Sequence, residues 1–239
     1  MQVDVILTPS ELSEINLAGK SAAVIDVLRA STTMVSALDA GCKDIIPCSS
    51  VEEATRLAEP LGRENIILCG ERDGHKINGF DLGNSPSEFT ESIVKAKTLL
   101  MSTTNGTMVI SKTRSATTLV IASFLNAQAV ADYLISLDSD INLICSGKLG
   151  RFSLEDMLCA GFLAGIISSK YPPAALTDAS KMAMALYKKE SKSLLKAFKQ
   201  SQHGSYLISL GYLEDIKYAS RLDITKTVPI HKEGRIIKL

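Results

Sequence analysis

Short apolar runs recur through the first 150 residues at a spacing of roughly 20 residues. Six of them are rich in Val, Ile and Leu and lack strict alternation, which is typical of strands buried on both faces. They cover residues 22–28, 45–48, 66–69, 98–101, 117–122 and 141–145, and helix-like segments at 32–40, 51–61, 108–113 and 127–136 separate them. This alternation predicts an α/β fold with a mainly parallel sheet flanked by helices, an α/β/α sandwich.

The pattern changes after Arg151, where the sequence predicts a helical C-terminal portion from 153 to about 202. Prolines 172 and 173 predict a break between two of its helices, because proline cannot continue a helix. The Ile-rich end of the chain is expected to add an edge strand. We predict one α/β unit over residues 1–239, with 150 as the candidate division between a sheet-rich part (1–150) and a helix-rich part (151–239).

The amino-acid composition argues against several classes of function. The chain has 26 basic and 26 acidic side chains, and this balance argues against a general nucleic-acid binder. The N-terminus lacks the apolar run of a signal peptide, and no stretch approaches the about 18 apolar residues of a membrane span. The five cysteines are odd in number and lack CxxC spacing. We therefore expect reduced, buried thiols in a cytoplasmic protein with no membrane partner.

Polar residues follow four of the predicted strands. In an open α/β sheet, ligands bind beyond the carboxyl ends of the strands. Segments 26–32, 70–74, 102–107 and 146–151 all combine carboxylates, cations, hydroxyls or glycines at these ends. Their recurrence predicts one shared ligand pocket.

Asp26 is the sharpest candidate, because it interrupts an apolar strand where an unpaired carboxylate carries a large desolvation cost. A bound cation or the nearby Arg29 would offset that cost. A structural Asp–Arg pair, or a cap on the helix beginning near Thr32, is the alternative. We favour a metal or active-site role, since perturbed carboxylates gather at such strand ends.

The long polar loop between the third and fourth strands supplies further oxygen ligands. Its carboxylates are Glu71, Asp73 and Asp81, and its neutral candidates are Asn78 and Asn84. Mg²⁺ needs only one or two such carboxylates because it usually keeps several waters. The alternative is that these acids are simply solvated, and Asp73 also belongs to a common Asp-Gly turn pair.

Residues 103–107 have the character of an anion cradle, since hydroxyls and backbone N–H groups at a helix start attract phosphate. The spacing is that of neither a P-loop nor GxGxxG, and an Asn-Gly turn with a Thr cap is the alternative.

Segment 146–156 adds cations and a helix cap. Ser153 and Asp156 match a helix-capping pattern, and this pattern leaves Glu155 unexplained. The cations Lys148 and Arg151 could hold an acidic substrate. His203 has two interpretations: it is a surface or helix-capping residue, or it belongs to the site.

Cys145 and Ser146 are candidate nucleophiles, although the CX5R spacing of cysteine phosphatases is not met. Asp26 is not followed by a DxDxT-like pattern, so a haloacid-type aspartyl-phosphate is not indicated.

Several strings together resemble the 2-phosphosulfolactate phosphatase (ComB-type) family. They are VIDVLRA at 24–30, GER at 70–72, GFDLGNSP at 79–86, TNGT at 104–107, CSG at 145–147, GRFSLED at 150–156, HG at 203–204 and LG at 210–211. The similarity runs from about residue 4 to residue 229, and the strings GFDLGNSP and GRFSLED are long and unusual.

The resemblance implies a Mg²⁺-requiring, homo-oligomeric hydrolase that converts 2-phospho-3-sulfolactate to 3-sulfolactate and phosphate in coenzyme M biosynthesis. It also implies a ComB-like α/β fold distinct from the common phosphatase folds. The predicted site comprises Asp26, Arg29, Glu155 and His203 as catalytic residues, Thr104, Asn105, Gly106, Thr107, Ser146, Lys148 and Arg151 as substrate-binding residues, and Asp26, Glu71 and Asp81 as metal ligands. Two alternatives stay open: a non-catalytic sensor of a phosphorylated metabolite, and a phosphotransferase or lyase acting on a related acid.

Overall fold

A computed structural model describes residues 1–13 and 15–239, and eleven strands within these residues form one sheet. The strands are β1 (Gln2–Ile6), β2 (Ser21–Ile25), β3 (Asp44–Pro47), β4 (Ile66–Arg72), β5 (His75–Lys76), β6 (Thr98–Ser102), β7 (Thr118–Ala122), β8 (Ile141–Cys145), β9 (Ala175–Leu176), β10 (Pro229–Lys232) and β11 (Arg235–Lys238). The α-helices are α1 (Ala30–Asp39), α2 (Val51–Ala58), α3 (Glu91–Val94), α4 (Gly106–Lys112), α5 (Ala127–Ser136), α6 (Leu154–Lys170), α7 (Asp178–Glu190), α8 (Leu194–Gln200), α9 (Gln202–Ser209) and α10 (Leu213–Ala219). The predicted α/β fold is confirmed.

The strand order is β5-β4-β6-β3-β11-β10-β7-β2-β8-β1-β9. Parallel pairing joins β4, β6 and β3 into one group, and β7, β2, β8, β1 and β9 into another. The hairpin β10–β11 lies between the groups and pairs antiparallel with both. Because three successive antiparallel pairings separate the groups, their strands run in opposite directions.

The prediction that the Ile-rich end adds an edge strand is wrong. Ile236 of β11 is in register with Ile45 of β3, and Ile230 of β10 is in register with Val120 of β7. The hairpin therefore covers an edge of each parallel group and takes the middle of the sheet. Strands β1 to β8 come from residues 1–150 and strands β9 to β11 from residues 151–239, so both parts of the chain contribute to this sheet.

Alternate residues of the inner strands pack into hydrophobic clusters on opposite faces of the sheet, so these strands are continuous apolar runs in the sequence. In β2, Ala22 and Val24 pack in a core with α1 and α4. Ala23 and Ile25 point to the opposite face, where the core includes residues of α5, α6 and α8. The sheet is therefore the middle layer of the predicted three-layer sandwich.

Helix α1 is buried on nearly all sides, and this fixes the loop before it. Buried residues extend from Ala30 to Leu38 without a break. Its hydroxyls bond to backbone carbonyls, as in the bond from Thr32 Oγ1 to the carbonyl oxygen of Val27 (2.8 Å). The loop after β2 therefore enters a rigid, internal helix.

The cysteines agree with the thiol prediction, since all five are free and buried. Among the described residues, none of the helices combines the length and the apolar character that crossing a bilayer requires.

Two glycines of α6 provide a matched test of the packing between α6 and α7. A Cβ atom at Gly161 would overlap the carbonyl oxygen of Ala183, whereas one at Gly165 would meet nothing within 4 Å. We expect Gly161→Ala to lower the free energy of unfolding by about 1–3 kcal/mol through overpacking. Gly165→Ala should raise it by about 0.5–1 kcal/mol, because alanine favours the helix. Urea denaturation measures both, and a Gly161→Ala variant as stable as the parent would contradict this packing.

Candidate active site

A cavity opens where the loops after β2, β4, β6 and β8 meet helix α9. Its lining residues are Asp26, Leu28, Arg29, Glu71, Asp73, Gly74, Asn84, Thr103, Thr104, Asn105, Lys148, Leu149, His203 and Leu207. The structure thus brings Asp26, Asn84 and Asn105 together, although they are far apart in the sequence.

The loops come from both parallel groups, even though those groups run in opposite directions. A Cβ atom at Gly106, at the start of α4, would lie 2.8 Å from Oδ2 of Asp26 and 2.8 Å from Cβ of Ala30. Position 106 therefore requires glycine, because any side chain would displace Asp26.

Asp26 sits at the base of the cavity and is only 6% exposed. Its Oδ1 accepts a hydrogen bond from the backbone N–H of Ala30 (3.1 Å), and its own N–H donates to Oγ of Ser31 (2.8 Å). Burial raises the pKa of Asp26 from 3.8 to about 6, and the positive charge of His203 opposes that rise.

Arg29 is buried and does not pair with Asp26, which rules out the alternative interpretation of a structural Asp26–Arg29 pair. Its Nη1 donates to Oδ2 of Asp215 (2.8 Å), and its Nη2 donates to the carbonyl oxygen of Gly74 (2.9 Å). The Cζ atom lies 4.0 Å from the ring centroid of Tyr212. Most of the charge of Arg29 is therefore balanced by α10, although the residue still lines the cavity.

Glu71, at the end of β4, ties two loops together. Its Oε1 accepts from the N–H of Thr104 (2.8 Å), and its Oε2 accepts from the N–H of Gly74 (2.7 Å). The carboxylate therefore positions backbone on both sides of the cavity, and each oxygen keeps a second lone pair.

The predicted anion cradle divides into exposed and internal parts. Thr104 and Asn105 line the cavity, and Oδ1 of Asn105 accepts from the N–H of Leu149 (3.0 Å). Thr107 is turned inward, because its hydroxyl accepts from the N–H of Thr103 (3.3 Å) and donates to the Thr103 carbonyl oxygen (3.0 Å). Thr107 therefore supports the turn and does not contact the cavity.

Two further polar side chains reach the cavity, one from the loop after β8 and one from α9. Nζ of Lys148 lies 4.1 Å from the ring centroid of Tyr206, and burial lowers the pKa of this ammonium group. Nδ1 of His203 lies 3.5 Å from Oε1 of Glu155, which is 1% exposed. This separation permits an ion pair when the histidine is protonated, but it is too long for a good hydrogen bond.

Other predicted site residues lie outside the cavity. Asp81 accepts from Nη2 and Nη1 of Arg63 (2.7 and 3.1 Å) and from the N–H of Leu68 (2.8 Å), so it anchors a different part of the loop. Arg151 is exposed, and its backbone pairs with Lys148 in a tight turn. The structure therefore does not bring Asp81 to Asp26 as a shared metal ligand.

The two candidate nucleophiles are also internal. Cys145 and Ser146 are both fully buried and do not line the cavity. Burial raises the pKa of the Cys145 thiol well above its usual range, so little thiolate forms. Neither residue is placed to attack a substrate in this cavity.

Asp156 is the clearest residue whose role the sequence misjudged. Ser153 caps α6 as predicted, accepting from the N–H of Asp156 (3.3 Å). The Asp156 carboxylate accepts instead from the N–H of Val27 (2.8 Å) and the N–H of Gly147 (3.0 Å). Asp156 therefore joins the loops that carry Asp26 and Lys148. Its only sequence signal is an acid next to an apolar helix, which capping already explains.

The other missed residues lie in α9, in α10 or directly before α10. Tyr206 and Tyr212 lie against the two cavity cations, and Asp215 pairs with Arg29. Nothing in their local sequence distinguishes them from ordinary helix residues, because their partners lie 58 to 186 residues away.

The cavity offers the hard oxygen ligands that Mg²⁺ prefers. Within the described residues, Oδ1 of Asn84 and Oγ1 of Thr104 are buried without a hydrogen-bond partner, and both residues line the same cavity as Asp26. The same part of the chain holds no group of three or more His, Cys, Asp or Glu side chains suited to a metal. The donor set therefore fits a Mg²⁺ ion that keeps waters and binds with a phosphate, not a closed protein cage.

Comparison with known proteins gives a consistent result. A family model described as 2-phosphosulpholactate phosphatase matches residues 6–234. The chain is 38% identical to a probable 2-phosphosulfolactate phosphatase of Clostridium acetobutylicum, over 99% of this chain and 100% of the relative. It is 37% identical to a probable enzyme of that name from Clostridium beijerinckii, over 99% of both chains. For one from Thermotoga petrophila the identity is 40%, over 98% of this chain and 97% of the relative.

The raised pKa of Asp26 predicts a pH-dependent gain in stability for Asp26→Asn. Between pH 3.8 and about 6 the folded protein binds a proton that the unfolded chain has released, so stability falls as pH rises through this window. At pH 7 the buried charge should cost up to about 3 kcal/mol, which asparagine avoids. Urea denaturation in EDTA should show Asp26→Asn more stable than the parent at pH 7 and nearly equal at pH 4.

The exposed Asp132 provides the control for this prediction, since it pairs with Lys170 at the surface. Asp132→Asn should change stability by less than about 1 kcal/mol at both pH values. An Asp26→Asn variant no more stable than the parent at pH 7 would contradict the buried-charge account.

Proposed function

We propose that this chain, which belongs to the 2-phosphosulpholactate phosphatase family, hydrolyses 2-phospho-3-sulfolactate to 3-sulfolactate and inorganic phosphate. In this reaction the oxygen of water forms a bond to phosphorus, the ester P–O bond breaks, and the leaving alkoxide takes a proton. Membership of the family makes the chain a phosphoric monoester hydrolase, and the names of the relatives support the substrate.

The observation that carries the proposal is the content of one cavity. Three carboxylates, two cations, a histidine and the backbone of residues 104–105 surround it. Phosphoryl transfer is catalysed mainly by positioning and charge stabilisation, and these are the groups that supply both.

Asp26 is buried and would hold Mg²⁺ together with the neutral oxygens of Asn84 and Thr104, with Glu71 as a further carboxylate of the same cavity. When bound, Mg²⁺ neutralises charge on the phosphoryl oxygens and orients water. Asp81 is not included, because it pairs with Arg63 elsewhere.

The cations that face the cavity bind the substrate. The remaining N–H groups of Arg29 and the backbone N–H of Asn105 bind the phosphoryl group, since the N–H of Thr104 already donates to Glu71. Of the two cations proposed for the second acidic group, Lys148 lines the cavity and Arg151 does not. Lys148 therefore binds the sulfonate or carboxylate.

Proton transfer is assigned to His203, which lines the cavity, while Glu155 lies behind it. Glu155 faces Nδ1 of the imidazole, which leaves Nε2 free to exchange a proton with water or with the leaving alkoxide. Glu155 thus acts through His203.

The finer parts of the proposal rest on the family resemblance. They are a Mg²⁺-dependent, cytoplasmic homo-oligomer and a place in sulfolactate and coenzyme M biosynthesis. No nucleic acid or membrane partner is proposed.

Phosphate release from 2-phospho-3-sulfolactate tests the function. We expect turnover with Mg²⁺, loss of turnover in EDTA and recovery when Mg²⁺ is restored. Asp26→Asn should lower kcat by about a hundredfold or more, because the carboxylate that holds the ion is lost. Asp81→Asn is the matched control and should stay within about threefold of the parent, since its oxygens contact Arg63 and Leu68.

Each alternative has its own outcome. Activity that EDTA does not affect would remove the metal from the proposal. Tight binding of phosphorylated hydroxy acids without turnover would favour a sensor, and products other than 3-sulfolactate and phosphate would favour a phosphotransferase or lyase.

A further inference from the structure

The two cations and the histidine of the cavity differ in what faces them. Arg29 is paired with Asp215, and His203 faces Glu155. Among the described residues, Nζ of Lys148 has neither an ion pair nor a hydrogen bond to the protein, and its neighbour is the ring of Tyr206. A ring face attracts a cation without neutralising it, so Lys148 keeps its charge for an anion.

Tyr206 is itself held by the turn after β4. Its hydroxyl donates to the carbonyl oxygen of Asp73 (2.9 Å). Its ring lies against Gly74, where a Cβ atom would be 3.5 Å from Cε1 of the tyrosine. The carbonyl oxygen of Gly74 accepts from Arg29. The same two-residue turn therefore fixes both cations of the cavity.

Lys148 lies towards the mouth of the cavity and Asp26 towards its base. Leu149, next to Lys148, is 66% exposed, whereas Asp26 is 6% exposed. A phosphate ester bound with its phosphoryl group near Asp26 would direct its other end towards Lys148.

We infer that Tyr206 is a positioning residue for substrate specificity, which holds the Lys148 ammonium where it selects phosphate esters that carry a second acidic group. A lysine side chain is otherwise flexible, and ordering it in advance strengthens binding of the acid. This inference rests on the proposed function and deepens it. It separates recognition at the mouth from chemistry at the base.

The test compares 2-phospho-3-sulfolactate with isopropyl phosphate, which lacks a second acidic group. The measured quantity is the ratio of kcat/KM for the two esters. We expect Tyr206→Leu to lower this ratio about tenfold, mainly through a higher KM for the acidic ester. Tyr206→Phe keeps the ring and should restore most of the ratio.

The Lys148→Met variant provides a second test of the inference, and this test remains informative if Tyr206→Leu fails to fold. We expect Lys148→Met to lower the ratio at least as much as Tyr206→Leu does. The double variant should fall no further than Lys148→Met alone, because Tyr206 acts through Lys148. Additive losses would overturn the inference.

Tyr218→Leu is the matched control, since this tyrosine contacts Arg221 outside the cavity. In Tyr218→Leu the ratio of kcat/KM for the two esters should equal that of the parent. An unchanged ratio in Tyr206→Leu would overturn the inference and leave the proposed function standing. Failure of the parent to hydrolyse either ester would overturn the proposed function and the inference together.

Discussion

The pairing of the C-terminal hairpin between β3 and β7 is the constraint on which the site depends. Each junction is narrow, with Ile236 opposite Ile45 on one side and Ile230 opposite Val120 on the other. Without the hairpin, the two parallel groups would each present an open edge, and nothing in the sheet would fix their relative position. The cavity takes Asp26 from one group and the loops after β4 and β6 from the other. The last strands of the chain therefore determine whether residues near its start can act together.

Buried polar contacts complete this convergence. Asp156 accepts from two strand-end loops, and Arg29 reaches across 186 residues to Asp215. Desolvating such charges offsets much of their attraction, so these contacts contribute little net stability. Their value lies in geometry, because a carboxylate with both oxygens engaged fixes the distance between two loops. Glu71 serves the same purpose between Thr104 and Gly74. Buried acids therefore hold the loops of the site in place, although their desolvation offsets most of the stability that the contacts would contribute.

Local sequence predicted the inner strands because strands buried on both faces leave continuous Val, Ile and Leu runs. It also identified Asp26, since a carboxylate inside such a run has few structural explanations. It could not place the hairpin, because what determines that position is the unpaired edges of β3 and β7. It could not separate Glu71 from Asp81 either, as both are acids on one polar loop and only the tertiary contact with Arg63 distinguishes them. The roles of Tyr206 and Asp215 depend on partners in distant segments, which composition and spacing do not encode.

Charge balance within the cavity limits how a phosphate ester can bind. At neutral pH a doubly charged phosphoryl group near Asp26 and Glu71 would meet two carboxylates in a poorly solvated space. Arg29 can donate hydrogen bonds to the phosphoryl group but compensates only part of its charge, because Arg29 also pairs with Asp215. Lys148 lies towards the mouth and can compensate only the far end of the substrate. The Mg²⁺ ion of the proposed function would supply the missing positive charge near Asp26, and Asn84 and Thr104 line the same cavity with side-chain oxygens that have no partner.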